Sequence, residues 1–299
     1  MHSRQDLRIT LPDGAELATW VFLPHEIDRP CPTITMSPGF AATRKHRLEP
    51  FAQALAEAGF VVTVHDHRSF GASTGSPRHD IDPFQQIEDW RRVIAHLATL
   101  PYVDRDRIGV WGSSYSGGHA LVLGATASLV RAVFAQVPTT DGFSAAQRRI
   151  PAHILHGYES DLIEDEIDQA AGAEPRVQHV VAAAEGEPAV YRSGDAADFY
   201  LTGDIDESEW HNAVTVQSSR RSRHYVPADW VARISPKPLF MLIAKDDVIT
   251  PTDLALQAYA TAREPKAYKL VAGGHFDPYT VGRDAAVQAA VDFFTTSLR

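Results

Sequence analysis

Residues 112–118, G-S-S-Y-S-G-G, carry three serines within four positions: Ser113, Ser114 and Ser116. They join the strand-like run 108–111 to the apolar run 119–123, which reads as a buried helix. A serine on such a turn can attack a carbonyl if three demands are met. Its hydroxyl must be exposed at the strand end, its neighbours must let backbones approach, and a helix N-terminus must face the charge that develops. Ser113 follows Trp111 by two positions, where a bulky side chain would meet the adjoining strand. Ser114 has Gly112 two before it and Ser116 two after it, and falls at the tip of the elbow once Trp111-Gly112 ends the strand. Ser116 also has small neighbours but would lie in the first turn of the helix. Ser114 is therefore the candidate nucleophile, set against the plainer reading in which these serines only cap a helix.

A serine hydroxyl is a poor nucleophile without a base, and the base needs an orienting acid. His275 stands behind two glycines in V-A-G-G-H-F-D-P-Y, after the strand-like run 268–272. Asp246 and Asp247 follow the run 239–244. Ser, Asp and His in that order, each at a strand end, form a constellation more specific than any one piece.

The elements that must position these residues alternate. Pro12-Asp13-Gly14 separates two strand-like runs and predicts an opening hairpin. Then come the strand P-T-I-T-M-S, an amphipathic helix stopped by Gly59, the strand F-V-V-T-V-H-D, and a helix in which Ile87, Trp90, Ile94 and Leu97 recur at helical spacing. Strand, helix and strand follow through V-R-A-V-F-A-Q. The pattern implies a mainly parallel sheet covered on both faces. From Thr139 to Ser235 the chain turns acidic and irregular, and after Pro236 the alternation resumes. One α/β core, 1–138 with 236–299, is thus divided by an insertion, 139–235.

With 299 residues, 44% hydrophobic and 22% charged, the chain can bury one large core without disulfides or metals. A net charge of −10 disfavours nucleic acid or an anionic membrane as main partner. The single cysteine, Cys31, has no internal partner, the N-terminus lacks a signal-peptide core, and no run nears the roughly 18 apolar residues of a membrane span. A cytoplasmic protein acting on a small molecule is the expectation.

These residues resemble the α/β-hydrolase superfamily over nearly the whole chain outside 139–235. G-S-S-Y-S-G-G is similar to that fold's nucleophile elbow, with Ser116 where the commoner G-x-S-x-G pattern has glycine. H-D-H-R-S-F-G-A-S-T-G, residues 65–75, is similar to the D-x-R-G-x-G-x-S loop, with Ser69 replacing a glycine. With G-G-H-F-D-P-Y these point to the branch of dienelactone-hydrolase-like and X-Pro-dipeptidyl-peptidase-like esterases, which includes polyketide-pathway hydrolases and acyltransferases. The resemblance implies an eight-stranded, mainly parallel sheet with helices on both faces and an inserted lid. It implies a triad of Ser114, Asp247 and His275, because the family loop commonly reads D-x-x-x-P and Pro251 follows Asp247 at that spacing. Asp246 and Asp141 are the fallback acids. It also implies oxyanion donors in the backbone N–H groups of Phe40 and Tyr115, with Gly39 permitting the turn, and neither cofactor nor metal.

His65 and His67 lack a nearby third ligand and make a weak metal pair. His153 and His156, one helical turn apart, more simply mark a helix in the insertion. Phe143, Tyr158, Tyr191, Phe199, Tyr200 and Trp210 suit either an acyl pocket or the insertion's own core, and Glu164, Asp165 and Glu166 suit a solvated face. The expected activity is cofactor-independent hydrolysis of a small-molecule carboxylic ester or thioester. Acyl transfer and carbon–carbon bond cleavage by the same triad are rivals, as is a non-catalytic ligand-binding protein. Oligomeric state is open, a homodimer being one option.

Overall fold

The computed structural model describes residues 3–299 except 26, 151, 185–186, 193, 203–204 and 206–208. Strand β1 (Ser3–Thr10) pairs antiparallel with β2 (Glu16–Leu23), and Gly14, at φ 88°, closes the hairpin between them. There follow β3 (Cys31–Ser37), α1 (Glu49–Glu57), β4 (Val61–His65), α2 (Pro83–Leu97), β5 (Val103–Ser113), α3 (Tyr115–Thr126) and β6 (Val130–Gln136). Asp82 caps α2, accepting from the N–H groups of Phe84 and Gln85, a contribution of about 1 kcal/mol.

The next stretch holds α4 (Gly142–Arg149), α5 (Ala152–Ala170), β7 (Val177–Val181), β8 (Ala189–Tyr191), α6 (Gly194–Leu201), β9 (Val214–Thr215), α7 (Val216–Arg223) and α8 (Ala228–Val231). Strands β7 to β9 make a separate three-stranded sheet. Last come β10 (Leu239–Ala244), α9 (Thr252–Thr261), β11 (Lys266–Val271), a 3-10 turn at Asp277–Tyr279 and α10 (Arg283–Leu298).

Eight strands form the main sheet in the order β1-β2-β4-β3-β5-β6-β10-β11, parallel from β4 to β11. Every residue of β3 and β4 is buried, as expected where helices cover both faces. Trp111 packs on Phe51 of α1, and Gly109 faces Phe294 of α10. The alternate side of β5 meets α3, where a Cβ on Gly112 would approach Ala120 at 2.9 Å. Each large apolar side chain fully buried between these layers, such as Trp90 or Phe294, contributes about 1.5–3 kcal/mol. Parallel pairing has the consequence that matters for chemistry: the loops after β3, β5, β10 and β11 all leave from one edge.

The stretch 139–235, where the alternation of the core breaks, folds among the described residues into helices and the small sheet, and His153 and His156 fall within α5. The acidic run E-S-D-L-I-E-D-E-I-D belongs to the 19-residue helix α5. Asp165 is not solvated as its sequence neighbours suggested. It is wholly buried and accepts from the Arg176 N–H at 2.8 Å and from the side-chain amides of Gln169 and Gln217, both at 2.8 Å. No helix among the described residues is long and apolar enough to cross a membrane.

Candidate active site

The turn after β5 is built around positions that tolerate only small residues. A Cβ on Gly112 would stand 1.9 Å from the Ser116 carbonyl oxygen, and one on Gly117 would stand 2.8 Å from Pro138. Ser114, at φ 55° and ψ −114°, takes a sparsely populated positive-φ conformation that costs an L-residue about 1–3 kcal/mol. Both of its backbone groups are anchored: its N–H donates to the Gln136 carbonyl at 2.8 Å and its carbonyl accepts from Thr139 at 2.8 Å. The strain places the hydroxyl where β5 ends and α3 begins. Ser113 points elsewhere, its hydroxyl bonded to that of Tyr279.

Ser114 Oγ lies 2.9 Å from His275 Nε2, and His275 Nδ1 lies 2.8 Å from Asp247 Oδ2. All three residues are buried, Ser114 the most accessible at 8%. The loop carrying His275 turns at Gly273, φ 89°, over the Asp277 carboxylate, which accepts from the Gly274 N–H at 2.7 Å. Asp247 is held from both sides. Its Oδ1 accepts from the N–H groups of Ile249 and Thr250 at 2.9 and 2.8 Å, and its Oδ2 accepts from the Thr250 hydroxyl at 2.8 Å. That hydroxyl is also 3.2 Å from His275 Nδ1, so one side chain touches both Asp247 and His275. The fallback carboxylates lie apart from the histidine: Asp246 is exposed, and Asp141 caps α4 by accepting from the Ser144 N–H at 2.9 Å.

The loop after β3 meets the elbow at Gly39, where a Cβ would stand 2.9 Å from Ser114 Cβ. Two carbonyls of this loop are held by side chains from 139–235. Tyr200 donates its hydroxyl to the Phe40 carbonyl and Trp210 its indole N–H to the Ala41 carbonyl, each at 2.7 Å. The N–H groups of Phe40 and Tyr115 donate to no protein acceptor among the described residues. Tyr115 is the first residue of α3, so its N–H carries the partial positive charge of a helix start.

A cavity of about 1390 Å³ opens beside this group, walled by Phe40, Tyr115, Tyr158, Tyr191, Ile249 and Asp247 among others. Phe40 stands edge-on to Tyr115 and Tyr191 at 5.5 and 5.9 Å. Arg149 lies 5.6 Å over Tyr191, and Arg223 the same distance over Tyr158. Burial pushes the Tyr115 and Tyr191 phenols up, so both stay neutral. The six aromatics of the insertion therefore divide. Tyr158 and Tyr191 line the cavity, Phe143 is exposed, and Phe199, Tyr200 and Trp210 are buried around His46.

His65 and His67 pack edge-on at 5.3 Å under the sheet edge. Among the described residues, no group of three or more His, Cys, Asp or Glu is placed to hold a metal ion. Sequence reasoning named Tyr200 and Trp210 only as pocket or core aromatics and missed their bonds to the loop after β3, which span more than 150 residues, and it missed Thr250. For Thr250 a signal existed, since a threonine three after an aspartate is a local turn partner.

Residues 13–277 match the model of the X-Pro dipeptidyl-peptidase (S15) family. The chain is 34% identical over 265 residues to the quorum-quenching protein AidA of Acinetobacter baumannii (strain MDR-ZJ06), covering 88% of this chain and 85% of that protein. It is 27% identical over 279 residues to a thiohydrolase of Eupenicillium brefeldianum, covering 92% and 88%. The crystal structure of the α/β hydrolase GrgF from Penicillium sp. sh18 superposes with a TM-score of 0.85, at 26% identity and 99% coverage of both chains.

Proposed function

The chain belongs to the X-Pro dipeptidyl-peptidase (S15) family and has the α/β-hydrolase fold, and from that premise we propose that it cleaves a carboxylic ester or thioester through an acyl-enzyme on Ser114. The observation that carries this reading is the run of contacts from Ser114 Oγ to His275 Nε2 and from His275 Nδ1 to Asp247. Ser114 Oγ attacks the carbonyl carbon as His275 takes its proton, and Asp247 holds the imidazolium that results. The N–H groups of Phe40 and Tyr115 receive the oxyanion, each donor of this kind lowering the barrier by about 2.7–4 kcal/mol. Collapse expels the alcohol or thiol with the proton from His275, and water then releases the acid. The aromatic cavity takes the acyl group, and 139–235 acts as a cap that walls it and braces the Phe40 loop.

Acyl transfer is the second reading, supported by the size of that cavity, which leaves room for an acceptor larger than water. Intact-mass detection of a fluorophosphonate adduct, with turnover of p-nitrophenyl esters and acyl thioesters, tests the main reading. Label and turnover lost together in Ser114→Ala support it, and an unlabelled wild type refutes it. Products formed with added alcohols and amines separate hydrolysis from transfer.

A further inference from the structure

Ser114 and His275 line not the large cavity but a far smaller one of about 10 Å³, closed by Pro38, Gly39, His46 and Phe276 among others. That is room for about one water molecule. His46 is buried to 1% exposure in the loop between β3 and α1. The Thr43 N–H donates to its Nδ1 at 3.0 Å. A ring nitrogen that accepts a backbone N–H presents its lone pair, so the proton of the neutral ring sits on Nε2. Nε2 is buried with no hydrogen-bond partner among the described residues, and the rings around it are those of Phe199, Tyr200 and Trp210, at 5.3–5.7 Å. A buried donor left without an acceptor costs about 1–3 kcal/mol. Burial holds the imidazole down at about 3, so His46 is a donor and not a base at working pH.

We propose that His46 is a positioning residue for the water that deacylates Ser114, its Nε2–H donating to a water molecule held in this small cavity. The proposal rests on the acyl-enzyme reading above. The water oxygen bonds to the acyl carbonyl carbon while its proton passes to His275 Nε2. The tetrahedral intermediate then releases Ser114 Oγ, which takes that proton back, and the product leaves as a carboxylic acid. Water reaches the acyl group from the small cavity, whereas a bulkier alcohol or amine finds room on the side of the large one. His46 thereby biases the enzyme toward hydrolysis over transfer.

Acyl-enzyme formation and decay are followed by intact mass and p-nitrophenol release in the wild type, His46→Phe and His46→Gln, with and without hydroxylamine. In His46→Phe, acylation stays within about twofold, decay in water slows about tenfold, and the hydroxamate-to-acid ratio rises by a similar factor. His46→Gln, whose amide offers an N–H at the place of Nε2, recovers part of the loss. Acylation and decay falling together in both variants, or an unchanged product ratio, would make His46 a packing residue and overturn the proposal. A wild type that never forms an adduct on Ser114 would remove the acyl-enzyme reading itself, and this proposal with it.

Discussion

Ser116 Oγ lies 2.7 Å from His67 Nε2, which Ser37 Oγ also meets at 2.8 Å. The serine that departs from the glycine pattern is thus tied into the floor of the elbow, facing away from His275. Beneath it His67 packs against His65 and His119, and His119 bonds to Gln86 and Tyr225 at 2.9 and 2.8 Å. Ser116 and Ser114 are two residues apart and have different partners.

Ser116→Ala is therefore expected to keep fluorophosphonate labelling while losing about 1 kcal/mol of stability, since Ser37 remains as a partner for His67. Intact-mass labelling and a urea titration read the two quantities separately. Loss of label in Ser116→Ala with a folded protein would move the nucleophile by two residues.

Asp247→Asn should lower kcat by about four orders of magnitude, the loss that follows when the base is held in the wrong tautomer. Asp246→Asn, at an exposed neighbour whose carboxylate does not reach His275, should leave kcat within about twofold. Steady-state kinetics on both variants decide between the adjacent carboxylates. Equal losses would contradict the geometry around Thr250.

The core was legible because its periodicities are local: apolar runs such as V-V-T-V-H mark buried parallel strands, and spacing such as that of Ile87, Trp90 and Ile94 marks a packed helix. Ser114, Asp247 and His275 were legible because each stands within about four residues of a strand's end, where parallel topology gathers loop residues at one edge. Tyr200 and Trp210 carried no such signal. Their role depends on how 139–235 folds back onto the loop after β3, and a lone tyrosine looks the same in sequence whether it lines a pocket or holds a carbonyl. Asp165 misled for a related reason, since its partner Gln217 lies 52 residues along the chain and only the fold brings it near.

Tyr200→Phe and Trp210→Phe remove the hydrogen bonds that hold the Phe40 and Ala41 carbonyls. A loosened loop weakens its N–H donors most where charge develops, so kcat should fall by about tenfold in each, about 1.4 kcal/mol of barrier, with KM nearly unchanged. A raised KM at constant kcat would instead mean that these side chains shape substrate binding.

His46, His65, His67 and His119 are buried, and burial lowers the pKa of each, to about 3 for His46 and His67 and well below the usual value for His65 and His119. Once unfolded, each histidine takes up a proton below about pH 6.5. The folded state binds fewer protons than the unfolded state from about pH 6.5 down to about pH 3. Their contribution to stability is therefore complete above pH 6.5 and is lost as the pH falls. Each histidine costs about 1.4 kcal/mol per pH unit in that window, and the four together about 5 kcal/mol per unit. Asp66, whose carboxyl burial pushes up, adds a single term of opposite sign. Against a typical total of about 5–15 kcal/mol, this slope predicts cooperative acid unfolding near pH 5. Urea midpoints measured at half-unit steps from pH 7.5 to 5 should give a slope corresponding to uptake of about four protons on unfolding. Stability that stays level across that range would mean that these histidines are already charged in the folded protein.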